Sequence, residues 1–207
     1  LSCDLLWDVG LQGNERTIQL FTWIDSGTLE LNWALRFDTL TAVMVFVVNV
    51  VSSMVHVYSI GYMSHDAHKP RFMAYLSLFT FFMLSLVTAD NFVQMFFGWE
   101  GVGLMSYLLI GFWHDRPSAN ATAIKAFVVN RVGDFGFMLG ILAVFFVFGT
   151  LAFDAVFKAV PDVAAPSVVF MGMAVDTMTP FSLHLFIVAL CTSAPLFHIT
   201  VLPYASA

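Results

Sequence analysis

The sequence TLTAVMVFVVNVVSSMVHVYSI, residues 39–60, is a run of 22 residues without a formal charge. About 20 predominantly apolar residues are needed for an α-helix to cross the roughly 30 Å hydrocarbon core of a bilayer. The run therefore predicts a transmembrane helix. Asp38 comes directly before it, at a position where an aspartate side chain caps the free backbone N–H groups of a helix N-terminus.

Working outward from this run, three more apolar stretches alternate with short polar ones. We predict transmembrane helices at residues 72–88, 92–112 and 124–148. A fifth candidate span begins near residue 181, but Pro195 would kink or break it. The expected fold class is all-α, a polytopic bundle with four well-defined transmembrane helices and this fifth candidate.

The chain divides into four regions on this pattern. We expect an extramembrane loop with little regular structure on the periplasmic or intermembrane side (1–38), a four-helix transmembrane region (39–148), an outer-side loop (149–180) and a truncated fifth span (181–207). The sequence begins in a polar stretch without an initiator Met and stops after an apolar run. We therefore expect it to be a fragment of a longer chain.

The composition argues against several classes of function. Charged residues make up 11% of the chain, against about 25% in ordinary globular domains, which agrees with a protein surrounded mainly by the lipid bilayer. The eight Lys and Arg residues are dispersed and form no basic stripe, so no nucleic-acid partner is expected. Cys3 and Cys191 have no metal-binding or redox spacing. We expect neither a metal nor a cofactor on this chain.

Positive charges predict the orientation of the spans. Four Lys and Arg residues lie in the two loops on one side or at the adjoining helix start, namely Lys69, Arg71, Arg116 and Lys125. The opposite side carries three, although its stretches are longer. Short loops rich in Lys and Arg stay on the cytoplasmic side. We predict that the loop 61–71 faces the cytoplasm or the mitochondrial matrix, and we call this the inner side.

Three ionisable residues lie inside predicted spans: Glu100, Arg131 and Asp134. An ionised side chain at the centre of a transmembrane helix costs about 2.5–3.5 kcal/mol on insertion scales, so it persists where it has a partner or a water-filled cavity. At about 1.5 Å per residue, all three approach the middle of the bilayer from antiparallel neighbouring helices. Arg131 and Asp134 are three residues apart, share a helix face and are expected to pair.

Two interpretations of these residues stay open. Arg131 and Asp134 are either a static ion pair that fixes helix packing, which we favour for this pair, or part of a proton relay. In a relay, a carboxylate alternates between protonated and ionised forms as neighbouring charges move. We favour that role for Glu100, which has no partner nearby in the sequence. Lys125, at the inner end of its helix, either extends its ammonium group to the interface or joins the relay.

Glycines cluster on the third predicted helix, at Gly98, Gly101 and Gly103. Their spacing resembles a phosphate-binding loop, but they lie inside an apolar span with no preceding strand, so nucleotide binding is not expected. We interpret them as small residues that permit close approach of a neighbouring transmembrane helix.

Three stretches resemble a known family: SIGYM (59–63), FFGWEGVGLMSYLLIGFW (96–113) and AIKAFVVNRVGDFGFMLG (123–140). They look like the largest antiporter-like membrane subunit of proton-translocating NADH:quinone oxidoreductase, respiratory complex I, known as subunit L in bacteria. The resemblance implies an antiporter-like fold, of which this chain would be an N-terminal-half fragment. The multi-subunit Mrp-type sodium/proton antiporters share the homology and are the alternative.

The resemblance also implies a function. Glu100 would be the family's glutamate on the fifth transmembrane helix, with Arg131 and Asp134 on the sixth. Family members move protons with such a glutamate, a lysine on the next helix and a central polar axis, driven by quinone reduction elsewhere in the complex. The expected site residues are therefore Glu100, Asp134, Arg131 and Lys125.

The same resemblance implies surroundings for the chain. NADH, FMN, iron–sulfur clusters and quinone would bind to other subunits. The partners would be other membrane-arm subunits and the lipid bilayer. The location would be the inner membrane of a bacterium or of a mitochondrion. The sequence departs from the family in the region of the family's seventh helix, where Thr192 replaces the lysine. No site residue is carried over to that region.

Overall fold

The computed structural model describes residues 2–27, 29–163, 167–170 and 173–176. Its elements in chain order are α1 (Ser2–Leu5), a π-helical turn (Leu6–Leu11), β1 (Arg16–Ser26), β2 (Leu29–Phe37), α2 (Thr39–Tyr62), α3 (Lys69–Val87), α4 (Phe92–Ile110), α5 (Pro117–Phe148), α6 (Phe153–Val163), β3 (Ser167–Phe170) and β4 (Met173–Asp176). In the described part of the chain, the four helices α2 to α5 are long and apolar enough to cross a membrane. The four predicted spans are confirmed, and the candidate fifth span lies outside the described residues.

The helices begin and end at capping residues more often than at the limits of the apolar runs. α2 begins where predicted, because the Asp38 carboxylate accepts a 2.7 Å hydrogen bond from the backbone N–H of Thr41. α5 begins at Pro117 rather than at residue 124, since a helix continues into polar sequence after it leaves the apolar layer. It ends before Gly149, which adopts the left-handed conformation with φ 69°.

The expectation of little regular structure in residues 1–38 was wrong. β1 and β2 form an antiparallel hairpin in which Arg16 pairs with Phe37 and Ser26 with Leu29. Apolar residues alternate with polar or smaller ones along β2, the period typical of a strand with one buried face. The acidic composition of residues 1–38 is typical of a loop, and the loop prediction therefore overlooked the alternating pattern of β2.

Residues 149–180, predicted as an outer-side loop, also contain regular structure. α6 follows α5, and β3 pairs with β4 in a second antiparallel hairpin. The backbone between α5 and α6 is held against the start of α4, because the Phe92 N–H donates to the Leu151 carbonyl at 3.2 Å. The Phe153 N–H donates in turn to the Asp90 carbonyl at 3.2 Å.

A buried glutamine fixes the first hairpin to α4. The Gln94 side chain is fully buried. Its Nε2 donates to the Ala34 carbonyl at 2.8 Å, and its Oε1 accepts from the Ala34 N–H at 3.3 Å. The amide therefore satisfies both backbone groups of a strand residue, as a neighbouring strand would. Trp33 packs edge-to-face on Phe97 of α4, with ring centroids 5.2 Å apart.

One arginine links four elements at the outer end. The Arg36 guanidinium lies 2.7 Å from a carboxylate oxygen of Asp154, 3.3 Å from Asp38 and 3.6 Å from Asp90. Burial raises the pKa of Asp38, but hydrogen bonds from Thr41 and Arg36 outweigh burial and hold it below its usual value. Burial also raises the pKa of Asp90, and there the charge of Arg36 does not offset it.

Two of the predicted glycines bring α3 and α4 into close contact. A Cβ on Gly98 would lie 2.6 Å from the backbone nitrogen of Leu86, and one on Gly101 would overlap the Phe82 ring. A Cβ on Gly103 would have no neighbour within 4 Å among the described residues. The close-approach interpretation is confirmed for Gly98 and Gly101, and Gly103 has no part in this contact.

We predict that Gly98→Ala separates α3 from α4. The new methyl group would meet a backbone atom, which cannot rotate away, so the overpacking should cost about 1–3 kcal/mol or more. The measurement is the unfolding temperature of the detergent-solubilised, full-length protein. Gly103→Ala is the matched control and should leave it unchanged or slightly raised, because Ala has the higher helix propensity. Equal losses for the two variants would contradict the predicted contact.

Neutralising Asp38 and Asp90 should have opposite effects. Asp38→Asn should lower the unfolding temperature at neutral pH, because a carboxylate with a lowered pKa in the folded state stabilises the fold above its unfolded pKa of about 3.9. This difference should disappear as the pH falls through the folded pKa. Asp90→Asn should raise the unfolding temperature at neutral pH, because a raised folded pKa makes the ionised form a net cost once the pH exceeds it. Melting curves between about pH 2 and 8 would decide. Shifts of the same sign for the two variants at neutral pH would refute the opposite effects predicted for Asp38 and Asp90.

Candidate functional site

The three predicted intramembrane charges come together between two packed helices. Glu100 lies next to the midpoint of α4, which is Gly101. Arg131 and Asp134 lie on either side of the midpoint of α5. The two helices are in contact, so charges at the same depth on each can meet. We call Glu100, Arg131 and Asp134 the central cluster.

Arg131 connects the two carboxylates of the central cluster. Its Nη1 donates a hydrogen bond to Oε2 of Glu100. The same nitrogen lies 3.7 Å from Oδ2 of Asp134. The guanidinium also lies over the ring of Phe127, one turn earlier on α5, at 4.6 Å from the ring centroid, which is favourable for a cation on an aromatic face.

Asp134 is the most enclosed member of the cluster. Its side chain is 9% exposed, against 22% for Glu100 and 42% for Arg131. Its second oxygen, Oδ1, accepts a 2.7 Å hydrogen bond from the indole Nε1 of Trp99. The Trp99 ring is held edge-to-face against Phe137 of α5, with centroids 5.8 Å apart. One oxygen of Asp134 therefore accepts from an indole that packing holds in place, and the other faces the Arg131 guanidinium.

The sequence predicted the members of the cluster and missed part of its connectivity. The expected Arg131–Asp134 pair is present, but the closer partner of Arg131 is Glu100 on the neighbouring helix. The prediction that all three charges approach the middle of the bilayer from neighbouring helices was the signal for that contact. Trp99 was not predicted, because an indole in an apolar span gives no sign of its partner until the facing helix is known.

The remaining expected site residue, Lys125, lies outside the cluster. Lys125 is exposed on the inner part of α5, six residues or about 9 Å along the axis before Arg131. Within the described part of the chain it makes no ion pair with the cluster. Thr192 lies outside the described residues. No group of three or more His, Cys, Asp or Glu that could hold a metal ion occurs in residues 2–27, 29–163, 167–170 and 173–176.

The central cluster contains one cation and two acids. Arg131 stays protonated under all ordinary conditions, so only the carboxylates can exchange a proton. One guanidinium nitrogen is within reach of both, and a small movement of the arginine changes how they share it. The arrangement can therefore couple the position of a positive charge to the protonation of a carboxylate in the middle of a span.

The fold and this site define a polytopic helical membrane protein with ionisable residues paired in the middle of two of its spans. Residues 23–73 match the family model described as NADH-ubiquinone oxidoreductase (complex I), chain 5 N-terminus. Residues 89–203, more than half of the chain, match the model described as NADH:quinone oxidoreductase/Mrp antiporter, TM. The chain belongs to this NADH:quinone oxidoreductase/Mrp antiporter transmembrane family.

Similar proteins agree with this family. The chain is 52% identical to NADH-quinone oxidoreductase subunit L of Rhodobacter capsulatus over 99% of its length, and 52% identical to NADH-ubiquinone oxidoreductase chain 5 of Chondrus crispus over 96%. It spans 30% of the length of each relative. Its fold is similar to a chain of the Mrp complex of a Dietzia species, with a TM-score of 0.67 and 18% identity, over 92% of this chain and 19% of that one.

We predict that Trp99 and Asp134 are energetically coupled. Trp99→Phe keeps an aromatic ring and removes the N–H donor, which should cost about 1.5–3 kcal/mol because the acceptor is a charged, buried carboxylate. Trp33→Phe removes an indole N–H that makes no hydrogen bond among the described residues and serves as the control. A double-mutant cycle with Asp134→Asn, measured by unfolding of the full-length protein, should give a coupling of about 0.5–3 kcal/mol. Strictly additive losses would show that the two side chains act independently.

Proposed function

We propose that this chain is part of the membrane-arm subunit L, or chain 5, of NADH:quinone oxidoreductase, and that it takes part in proton translocation coupled to quinone reduction. The observation that carries the proposal is the central cluster, in which Arg131 bridges Glu100 and Asp134 near the midpoints of two transmembrane helices. Ionisable residues at this depth mark ion pathways unless they are fully committed to packing.

The proposed mechanism depends on the asymmetry between the two carboxylates. Asp134 has a second donor in Trp99 and is the more enclosed. Glu100 has the guanidinium as its hydrogen-bond donor within the described part of the chain. A charge arriving beside the cluster would draw Arg131 toward one acid or push it toward the other. When Arg131 leaves Glu100, that carboxylate loses the partner of its ionised form and takes up a proton; when Arg131 returns, the proton is released.

We assign the redox chemistry to other subunits. NADH, FMN, the iron–sulfur clusters and quinone would bind elsewhere in the complex, and this chain would carry no redox centre. Its partners would be the neighbouring membrane-arm subunits and the bilayer. Its location would be the inner membrane of a bacterium or a mitochondrion. Lys125 is the exposed cation of α5 nearest the inner side and is a candidate for passing charge toward the cluster.

The alternative is a subunit of a multi-subunit Mrp-type sodium/proton antiporter. Co-purification separates the two candidates, because a complex I subunit should be recovered with flavin and iron–sulfur subunits. Transport separates them as well. Proton movement that requires electron transfer from NADH to quinone supports the first candidate, whereas sodium-dependent proton exchange without electron transfer supports the second.

The proposed role of Glu100 is tested by Glu100→Gln in the full-length subunit of the assembled complex. Glutamine keeps the size and hydrogen bonding of the side chain but cannot titrate, so the number of protons pumped per NADH oxidised should fall sharply. Glu100→Asp should retain part of the pumping. Glu30→Gln, the same chemical change on the exposed hairpin, should have no effect. Normal pumping by a correctly assembled Glu100→Gln complex would leave Glu100 with a structural role alone.

A further inference from the structure

A cavity of about 430 Å³ opens at the inner ends of three helices, about two helical turns from the central cluster. α3 contributes Arg71 and Tyr75, α4 contributes Tyr107 and Leu108, and α5 contributes Ile124. Arg71 is in the first turn of α3, so the mouth of the cavity lies at the level where the chain leaves the hydrocarbon layer. The volume falls within the range of about 300–1,000 Å³ that is usual for small-molecule sites.

The polar end of the cavity contains an arginine with unused hydrogen-bonding capacity. Arg71 Nη2 donates to the Phe112 carbonyl at 3.2 Å, and the guanidinium lies 4.8 Å from the centroid of the Phe112 ring. Arg71 Nε is buried and has no hydrogen-bond partner among the described residues. Because Nε is enclosed by the protein, an occupant of the cavity would contact other atoms of Arg71.

Asp66 lies close enough for the charge of Arg71 to act on it, but the two side chains form no ion pair. Asp66, in the loop before α3, accepts hydrogen bonds from the His68 N–H at 2.7 Å and from Trp113 Nε1 at 3.1 Å. Arg71 forms no ion pair within the described part of the chain. The cavity therefore presents a partly buried guanidinium without a carboxylate bound to it.

The lining of the cavity combines polar and apolar side chains. Arg71 and the phenol groups of Tyr75 and Tyr107 form a polar part, whereas Leu108 and Ile124 are apolar. Outside the cavity, α5 continues with exposed apolar side chains such as Val128, which is 55% exposed. A free inorganic anion would use the polar part alone, but a molecule with an anionic head and hydrocarbon tails matches both parts.

We propose that this cavity binds the phosphodiester headgroup of an anionic phospholipid, with Arg71 as its main ligand. Basic pockets between transmembrane helices near the cytoplasmic or matrix surface are suited to such headgroups, and a guanidinium fits two phosphate oxygens at once. The acyl chains lie along the apolar outer surface of α5. The proposal depends on the chain spanning a membrane and is independent of the proposed proton translocation.

The test uses the full-length subunit in its purified, assembled complex. The complex is delipidated and transferred to nanodiscs of phosphatidylcholine with increasing phosphatidylglycerol, and bound lipid is counted by native mass spectrometry. Arg71→Gln should weaken phosphatidylglycerol retention about tenfold, because a charge-assisted hydrogen bond is lost. Arg116→Gln removes a charge near the same end, from a side chain that stacks on Trp113 outside the cavity lining. That control should change retention less than about twofold.

A second variant tests the cavity without removing the charge. Ile124→Trp places a large side chain at the 55% exposed position on its rim and should reduce retention as strongly as Arg71→Gln while the fold is preserved. Inorganic phosphate at millimolar concentration should not displace the lipid. Displacement by phosphate alone would assign the site to a free anion. Equal retention by wild type, Arg71→Gln and Ile124→Trp would show that lipid does not occupy the cavity, for instance because another part of the full-length chain fills it.

Discussion

The contacts of Arg131 with Glu100 and Asp134 constrain how α4 and α5 pack against each other. Each ionised group in the middle of a span costs several kcal/mol unless it has a partner, so the helices must place all three side chains at one depth and on facing sides. One guanidinium serves two carboxylates, and the indole of Trp99 supplies another donor. A helix pair shifted by one turn would leave at least one carboxylate without these partners, which makes the relative height of α4 and α5 tightly specified.

The rest of the structure holds α4 at that height. Gly98 and Gly101 allow α3 to pack so closely that a methyl group on Gly98 would meet its backbone, which limits both rotation and sliding of α4. At the outer end, the side chain of Gln94 is bonded to both backbone groups of Ala34, which fixes the hairpin to the first turn of α4. Trp99 and Glu100 follow within two turns, so these constraints are transmitted to the site over a short, rigid length of helix.

The sequence was sufficient for the features that depend on composition and local chemistry. Apolar length predicted the four spans, Asp38 predicted the start of α2, and the cost of intramembrane charge predicted which residues form the central cluster. It was insufficient where the decisive partner lies far along the chain. The hairpin β1–β2 was missed because its period-2 pattern is short and surrounded by acidic residues. The contact between Trp99 and Asp134 joins residues 35 positions apart, and no local pattern encodes it.

The central cluster also has a charge balance that bears on its proposed role. With both carboxylates ionised, one arginine and two acids carry a net charge of −1, and the cluster becomes neutral when it binds one proton. A neutral cluster is favoured in a medium of low polarity, so in the proposed mechanism the cluster holds one proton at rest. Asp134 accepts from Trp99 and Glu100 is the more exposed acid. We therefore propose Glu100 as the exchangeable site while Arg131 is turned toward Asp134, with Asp134 as the counterion. Under this proposal, the return of Arg131 to Glu100 and the release of the proton require a further charge beside the cluster, which must come from Lys125, from the part of the chain outside the described residues or from a neighbouring subunit.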